Sequence, residues 1–373
     1  MSNQSMSEKK LEELAYFGSP KRLDRSQLEE LASTVEFLAN YDCSGLDLRG
    51  VDLSGCILER IDFTGADLST ANLKETVLYE CILEKSQLIN TNFHMAIIAK
   101  TKLDNAIAQR SYWNMSRISE SQARYLTLCD SDLSKAAFYQ VDLSHANLEN
   151  TNLREAVFMQ TVLDGCNLKG ANCAQTTLVG VDFTRVQISG ADLGRAILMD
   201  SNFSGMNMAR VNLALAQLKG ANFSRANLRD ADLSQAGFVK ANLEGADLDG
   251  VKASLALFIE ANLKGVSMRR ADLRRAVLQK ADLSGADLRA CNLSEAVLAG
   301  SKCHNTLMQK VALIDADLAY ADLSGADLTD ANLFRAKLHR ISEIGTCWKG
   351  SNRNTAIGED KIRSMGEDWQ PPL

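Results

Sequence analysis

Ala281-Asp282-Leu283-Ser284-Gly285 is followed at once by Ala286-Asp287-Leu288-Arg289-Ala290, and the two fives differ only in their last two places. Working outward in both directions, an apolar residue falls on every fifth position from Leu48 to Leu338 without one insertion. Most of these centres are Leu; the rest are Phe, Ile, Met, Ala or Cys, with Trp113 the one Trp. Two places before each centre stands a small or modest side chain, mostly Ala, Ser, Thr, Val or Cys.

A helix does not fit this period. Five residues advance an α-helix by about 500°, a net 140° or so, which scatters the centres around the cylinder. A short strand does fit the pair within each unit, because residues two apart point to the same side. The remaining residues must turn the chain so that the next pair again points inward. Gly recurs two places after the centre, as at Gly55, Gly65, Gly165, Gly190, Gly220, Gly245, Gly285 and Gly325, where a corner needs backbone freedom. Proline stands only at Pro20, Pro371 and Pro372, outside the repeats, as a ladder that uses its backbone donors requires. The chain therefore reads as a solenoid of short strands and turns.

The lap length is legible too. Aromatic centres recur at twenty, as in Phe183, Phe203 and Phe223. The residue before the centre is apolar or β-branched along Ile57, Val77, Ile97, Val157, Thr177, Ile197, Leu257, Val277 and Val297, and usually Asp or Asn in the other three phases. Four units per coil account for both signals and give almost fifteen coils, stacked at roughly 4.8 Å.

Ala66-Asp67-Leu68-Ser69-Thr70, Ala221-Asn222-Phe223-Ser224-Arg225 and Ala281-Asp282-Leu283-Ser284-Gly285 resemble the pentapeptide-repeat family, with its A-(D/N)-L-x-x motif. The resemblance implies an all-β fold, a right-handed quadrilateral β-helix with the centre and the small residue inside. The expected organisation is an N-terminal helical cap over 1–40, the repeat β-helix over 41–340 and a C-terminal cap or tail over 341–373. Ser26-Gln27-Leu28-Glu29 reads as a capping box. Leu28, Leu31, Val35 and Leu38 then give the helix an apolar face to about Ala39 that covers the first coil. Trp348 and Ile362 are the residues expected to close the other end. Family members often dimerise through such an end, so the resemblance implies a homodimer through a terminal cap.

Chemistry is sparse. The nine cysteines include no CxxC pair and fall mostly on inward positions, so they read as buried thiols in a reducing cytoplasm, not as metal or redox sites. His94, His145, His304 and His339 all fall on outward positions and read as solvated surface. Sixteen Asp share the slot before the centre, where a short carboxylate satisfies nearby backbone donors, a structural role. With no nucleophile elbow, phosphate loop or metal signature, the expectation is a protein that is not an enzyme and needs no cofactor. The polar N-terminus and the lack of an apolar run near 20 residues point away from a signal peptide and a membrane span.

What remains is surface. One place after the centre, the β-branched phase carries Tyr139, Met159, Val179, Met199, Val239 and Ile259, where other phases carry polar or charged residues. These six are the candidate partner-binding residues, in an apolar strip from about Tyr139 to Val277 interrupted at Lys219. Between Ile97 and Thr127 the Asp/Asn slot is lost and the centres shrink to Ala108, Ile118 and Ala123. That stretch reads as a bent or loosely packed pair of coils, against a recognition patch of Arg110, Tyr112, Met115, Arg117, Arg124 and Tyr125. Arg269, Arg270, Arg274, Arg275 and Arg289 read as a solvated basic cluster. The function that follows is a non-catalytic interaction rod that binds a protein partner, as a bacterial adaptor, immunity or effector-associated factor, with no direct contact to nucleic acid. The alternative, from the resemblance, is a DNA mimic that binds and protects a type II topoisomerase, DNA gyrase. The net charge of −6 and the mixture of acidic and basic slots argue against it.

Overall fold

The computed structural model describes residues 19–369, in two compact units that divide between Asn172 and Cys173. Each unit is a parallel β-solenoid in which a residue pairs with the one twenty places on, so one lap has four sides of five residues. Every apolar centre from Leu48 to Leu338 is buried, and so are nearly all the small residues two places before.

In the first unit, β1 (Lys21–Arg22) pairs in parallel with β3 (Tyr41–Asp42). Between them lie α1 (Arg25–Thr34) and β2 (Phe37–Ala39). Then β2, β4 (Ile57–Glu59), β5 (Val77–Tyr79), β6 (Ile97–Ala99), β7 (Arg117–Ser119), β8 (Ala137–Tyr139) and β9 (Val157–Met159) pair in register, each with the next. These strands occupy the side whose flanking residues are β-branched or aromatic, which suit an extended, half-buried ribbon. The other sides meet through single bridges at the Asp/Asn slot, such as Asp52 to Asn72 and Asn72 to Asn92.

The helix starts earlier than the sequence suggests. Its N-cap is Asp24, whose carboxylate accepts the Gln27 N–H at 2.9 Å while Gln27 Oε1 accepts the Asp24 N–H at 3.0 Å. Ser26 instead donates its hydroxyl to Asp24 at 2.7 Å. The carboxylate displaces the hydroxyl as cap because it is the stronger acceptor. The helix also ends at Thr34, so Leu38 is buried from a strand and Val35 is exposed. Leu23 and Leu28 fall on the same fifth-residue register as the centres and are buried with them.

The corners follow one rule. From Asn40 to Gly350, each residue two places after a centre has φ near +60°, whether or not it is glycine, with Arg185 the single exception. A left-handed residue costs a side chain about 1–2 kcal/mol, and the corner bond to the next coil offsets it. Thr70 N–H, for example, donates to the Ile89 carbonyl at 2.8 Å.

The stretch from Ile97 to Thr127 is neither bent nor loose. Its ladder bonds run unbroken, for instance Leu103 N–H to Gln122 O at 2.7 Å and Trp113 N–H to Asp132 O at 2.7 Å. The small centres Ala108 and Ala123 are compensated by Trp113 and by Leu126, which occupies a slot normally held by Ala.

In the second unit the first strand is β10 (Thr177–Leu178). The apolar period stops at Leu338, but the backbone pattern does not: Ser342 bridges Asp322 and Cys347 bridges Asp327. The short α2 (Lys361–Glu367) then folds back. Ile362 does not close the end; it is 85% exposed, and Ser364 is the buried residue of that helix. Among the described residues, no helix is long and apolar enough to cross a membrane.

Candidate partner-binding surface

The Asp/Asn slot is consumed by the fold. Asp62 Oδ1 accepts the Thr64 N–H at 2.8 Å, and the same two-residue bond recurs at Asp132, Asn202 and Asp282. Where Asn stacks on an Asp or Asn one lap back, its Nδ2 commonly donates to that residue. Asn202 donates to Asp182 at 3.1 Å, Asn222 to Asn202 at 3.1 Å, Asn242 to Asn222 at 3.3 Å and Asn262 to Asn242 at 3.0 Å. Asp begins this ladder because a carboxylate accepts but does not donate. These groups are structural, and in the same slot Asp42 is drawn to about 2 by the Ser44 hydroxyl, the Ser44 N–H and Arg22.

Many charges on the remaining sides pair with one another. In the second unit, burial pushes the Asp249 carboxyl up, but Arg269 and the Ser267 hydroxyl pull it down to about 2. Arg269 reaches it through Nε at 2.9 Å and Nη2 at 2.5 Å, and Arg229 through Nη1 at 3.1 Å. The basic cluster expected around Arg269 is thus largely neutralised: Arg274 pairs with Asp272, Arg289 with Asp287 and Arg275 with Glu295. In the first unit, Asp104 is likewise buried against Arg124.

The histidines do not form a site. His145 stacks on Tyr125 with centroids 5.0 Å apart, and His304 Nε2 lies 2.5 Å from Asp322. His339 departs from the solvated reading: it is 4% exposed beneath α2, accepting the Asp360 N–H on Nδ1 at 3.2 Å and facing Glu367 from Nε2 at 3.2 Å. Glu367 is drawn to about 2, first by the Tyr320 hydroxyl, then by His339 and Arg363.

Apolar side chains concentrate on the strand side. In the first unit, Tyr139 and Met159 are register partners on β8 and β9, 43% and 55% exposed. In the second unit, Val179 is 45% exposed and lies beside Met199, whose carbonyl accepts the Gly180 N–H at 2.9 Å. Val239 and Ile259 are neighbours in the same way, through Lys240 N–H and Ile259 O at 2.9 Å. Met199, Val239 and Ile259 are half-buried. Outside the candidate partner-binding residues, Phe37, Ile57 and Ile97 stand exposed one place before the centre on the strand side of the first unit. Met95 is exposed around the adjoining corner, with Tyr112 and Met115 of the alternative recognition patch. The same lap register, read one place before the centre and at the corner, locates all six.

A family model described as Pentapeptide repeats (8 copies) matches residues 42–107 and 127–341 in overlapping segments. No curated protein sequence matches the chain. Among solved structures, the chain is similar to HetL, a pentapeptide repeat protein involved in heterocyst differentiation regulation from the cyanobacterium Nostoc sp. strain PCC 7120. Identity is 27%, over 68% of this chain and 91% of that one, with a TM-score of 0.26. It is similar at 14% identity to QnrB1, a plasmid-mediated fluoroquinolone resistance protein, over 60% of this chain and 94% of that one, with a TM-score of 0.28. It is also similar at 22% identity to Rfr23 from the cyanobacterium Cyanothece 51142, over 44% of this chain and 91% of that one, with a TM-score of 0.15.

Proposed function

Because the chain belongs to the pentapeptide-repeat family, we propose that it is a non-catalytic β-helix that binds a protein partner on its strand side. Tyr139 and Met159 make the contact in the first unit, and Val179, Met199, Val239 and Ile259 in the second. The observation that carries this reading is the contrast between sides. Tyr139 and Met159 in the first unit and Val179 in the second are exposed at the same strand-side position, while exposed Tyr, Met and Val on other sides, such as Tyr112, Tyr125 and Val162, fall at other positions; the Asp/Asn slots and many arginines elsewhere are taken up by ladder bonds and ion pairs. Exposed aromatic and Met side chains are what a protein interface uses. The role that fits is an adaptor, immunity or effector-associated factor in a bacterial cytoplasm. A second copy of the chain is the further partner, at the C-terminal end, where Ile344, Ile362, Met365 and Trp369 are all exposed.

The topoisomerase alternative needs columns of free carboxylate to imitate phosphate. Asp249, Asp272 and Asp287 are instead neutralised by arginines, which weighs against it. The test is affinity capture from the native cell with wild type and with Tyr139→Ser/Met159→Lys and Val179→Lys/Met199→Lys. A specifically captured protein should be lost at least tenfold from the variants, with the solenoid's circular dichroism unchanged. Equal capture by all three overturns the strand side as the docking site.

A further inference from the structure

In the second unit, short of its last lap, the ladder opens at one place. Among the described residues, Gln187 makes no bridge to Asn207, and no ladder bond joins Ile188 N–H to the Asn207 carbonyl or Gly190 N–H to the Ala209 carbonyl. A cleft lies there, lined by Ile188, Asp192, Met208, Val211 and Asn212 among others. The corner that leads into it is Arg185, the exception to the left-handed rule.

The cause is in the small inward slot. Val186 and Met206 occupy that slot in successive laps, and nowhere else in the second unit do two residues as large as Val stack there. Met206 is correspondingly half-exposed, whereas Val186 one lap back and Ala226 one lap on are buried. Overfilling a packed core forces backbone to move. A single large residue is tolerated: Leu126 in the first unit sits between Ala106 and Ala146, and its flanking bonds, Leu128 N–H to Asn147 O at 2.7 Å and Asn147 N–H to Leu126 O at 2.9 Å, are intact.

The opening is confined. On the strand side Thr177 still bridges Ile197, and Gly180 N–H reaches the Met199 carbonyl at 2.9 Å. Phe183 N–H reaches Asn202 O at 2.8 Å, and Phe183 stacks on Phe203 with centroids 4.5 Å apart. Beyond the cleft, Leu193 N–H meets Asn212 O at 3.1 Å and Arg195 N–H meets Ala214 O at 2.8 Å. The open side is two sides away from the strand side in a four-sided lap, directly across the core.

We propose that this seam is a built-in joint whose spine is the bonded strand side at Val179 and Met199. Opening it tilts one lap on the next and makes the strand side of the second unit concave, so that the apolar columns curve around a partner. The purpose assigned to the bend rests on the strand-side docking reading; the joint itself does not. Backbone groups at an opened ladder exchange with solvent through local opening. The experiment is hydrogen–deuterium exchange on the full chain without any partner. Peptides covering 186–191 and 206–212 should exchange at least tenfold faster than those covering 196–203 and 222–228. Met206→Ala, and independently Val186→Ala, should slow them to within about threefold of their neighbours, by removing one layer of the overfilled slot. Exchange at the neighbours' rate in wild type, or fast exchange unchanged in both variants, overturns the joint. Undiminished partner capture by the strand-side variants, with the seam's exchange as expected, would fault only the docking side.

Discussion

The indole of Trp113 stacks on Phe93 one lap back, with centroids 4.1 Å apart and planes inclined by 22°, and its Nε1–H donates to Ser111 Oγ at 2.6 Å. That pair restores the volume missing at Ala108 and Ala123. It also secures a buried hydroxyl chain, since Ser111 and Ser131 Oγ lie 3.2 Å apart and Ser131 donates to the Ala108 carbonyl at 2.9 Å.

Trp113→Ala should therefore cost about 3–5 kcal/mol, the range for emptying a large aromatic site. Urea denaturation reads the loss. A cost below about 1 kcal/mol would mean that the indole does not fill those coils.

The Asn ladder has a direction. Asn222→Asp keeps the acceptor for Ser224 and Asn242 but sets a second acceptor against Asn202 Oδ1, and should cost about 1–3 kcal/mol. Asp52→Asn, at the start of a ladder, keeps the Oδ1 that receives the Ser54 and Asn72 donors. It should change stability by less than about 0.5 kcal/mol. The two midpoints in urea check the asymmetry.

Asp249 sets an acid dependence. Its folded carboxyl sits near 2 against an ordinary 3.8, so the stability it contributes is complete above about pH 4 and is lost as pH falls toward 2. Asp249→Asn leaves Arg229 and Arg269 without their buried counter-charge. It should destabilise by about 1–3 kcal/mol at neutral pH, the range for losing hydrogen bonds to a charged group, and flatten the profile between pH 4 and 2. Denaturation at stepped pH measures both effects; an unchanged slope would remove Asp249 as the cause.

Thiol reactivity should follow burial. Cys347 is exposed and Cys129 half-buried, whereas burial pushes Cys43, Cys81, Cys166 and Cys173 up to about 12. In native protein an aromatic disulfide reagent should label Cys347 first and Cys129 more slowly, with the others reacting only on unfolding. Peptide mapping by mass spectrometry identifies the order.

If a second copy docks on the C-terminal end, Ile344→Ser/Met365→Ser should convert a dimer to a monomer. Light scattering across a concentration series decides this, and a monomeric wild type removes the second copy as partner.

The period alone made the lap readable, because a side chain every fifth residue and a second signal every twentieth admit one stacking. It places Leu48 to Leu338 inside and Tyr139, Met159 and Val179 outside. It misjudged residues 97–127, because volume in a solenoid core is shared between layers: Trp113 and Leu126 fill what Ala108 and Ala123 leave, and no single lap shows that. It misjudged the N-cap, because a hydroxyl at Ser26 and a carboxylate at Asp24 compete for the same amides.

What the amino-acid sequence determined by itself is the backbone: quarter-turn corners, in-register laps and a dry interior follow from a strict spacing of apolar and small residues. What only the tertiary structure decided lies in side chains that meet across laps or fold back on them. Examples are Asp249 between Arg229 and Arg269, His339 beneath α2, and Val186 stacked under Met206 with the ladder open beside them. Local spacing fixes where a side chain leaves the backbone, but the rotamer it adopts, the charge it meets and the volume it must share are set by neighbours twenty residues away.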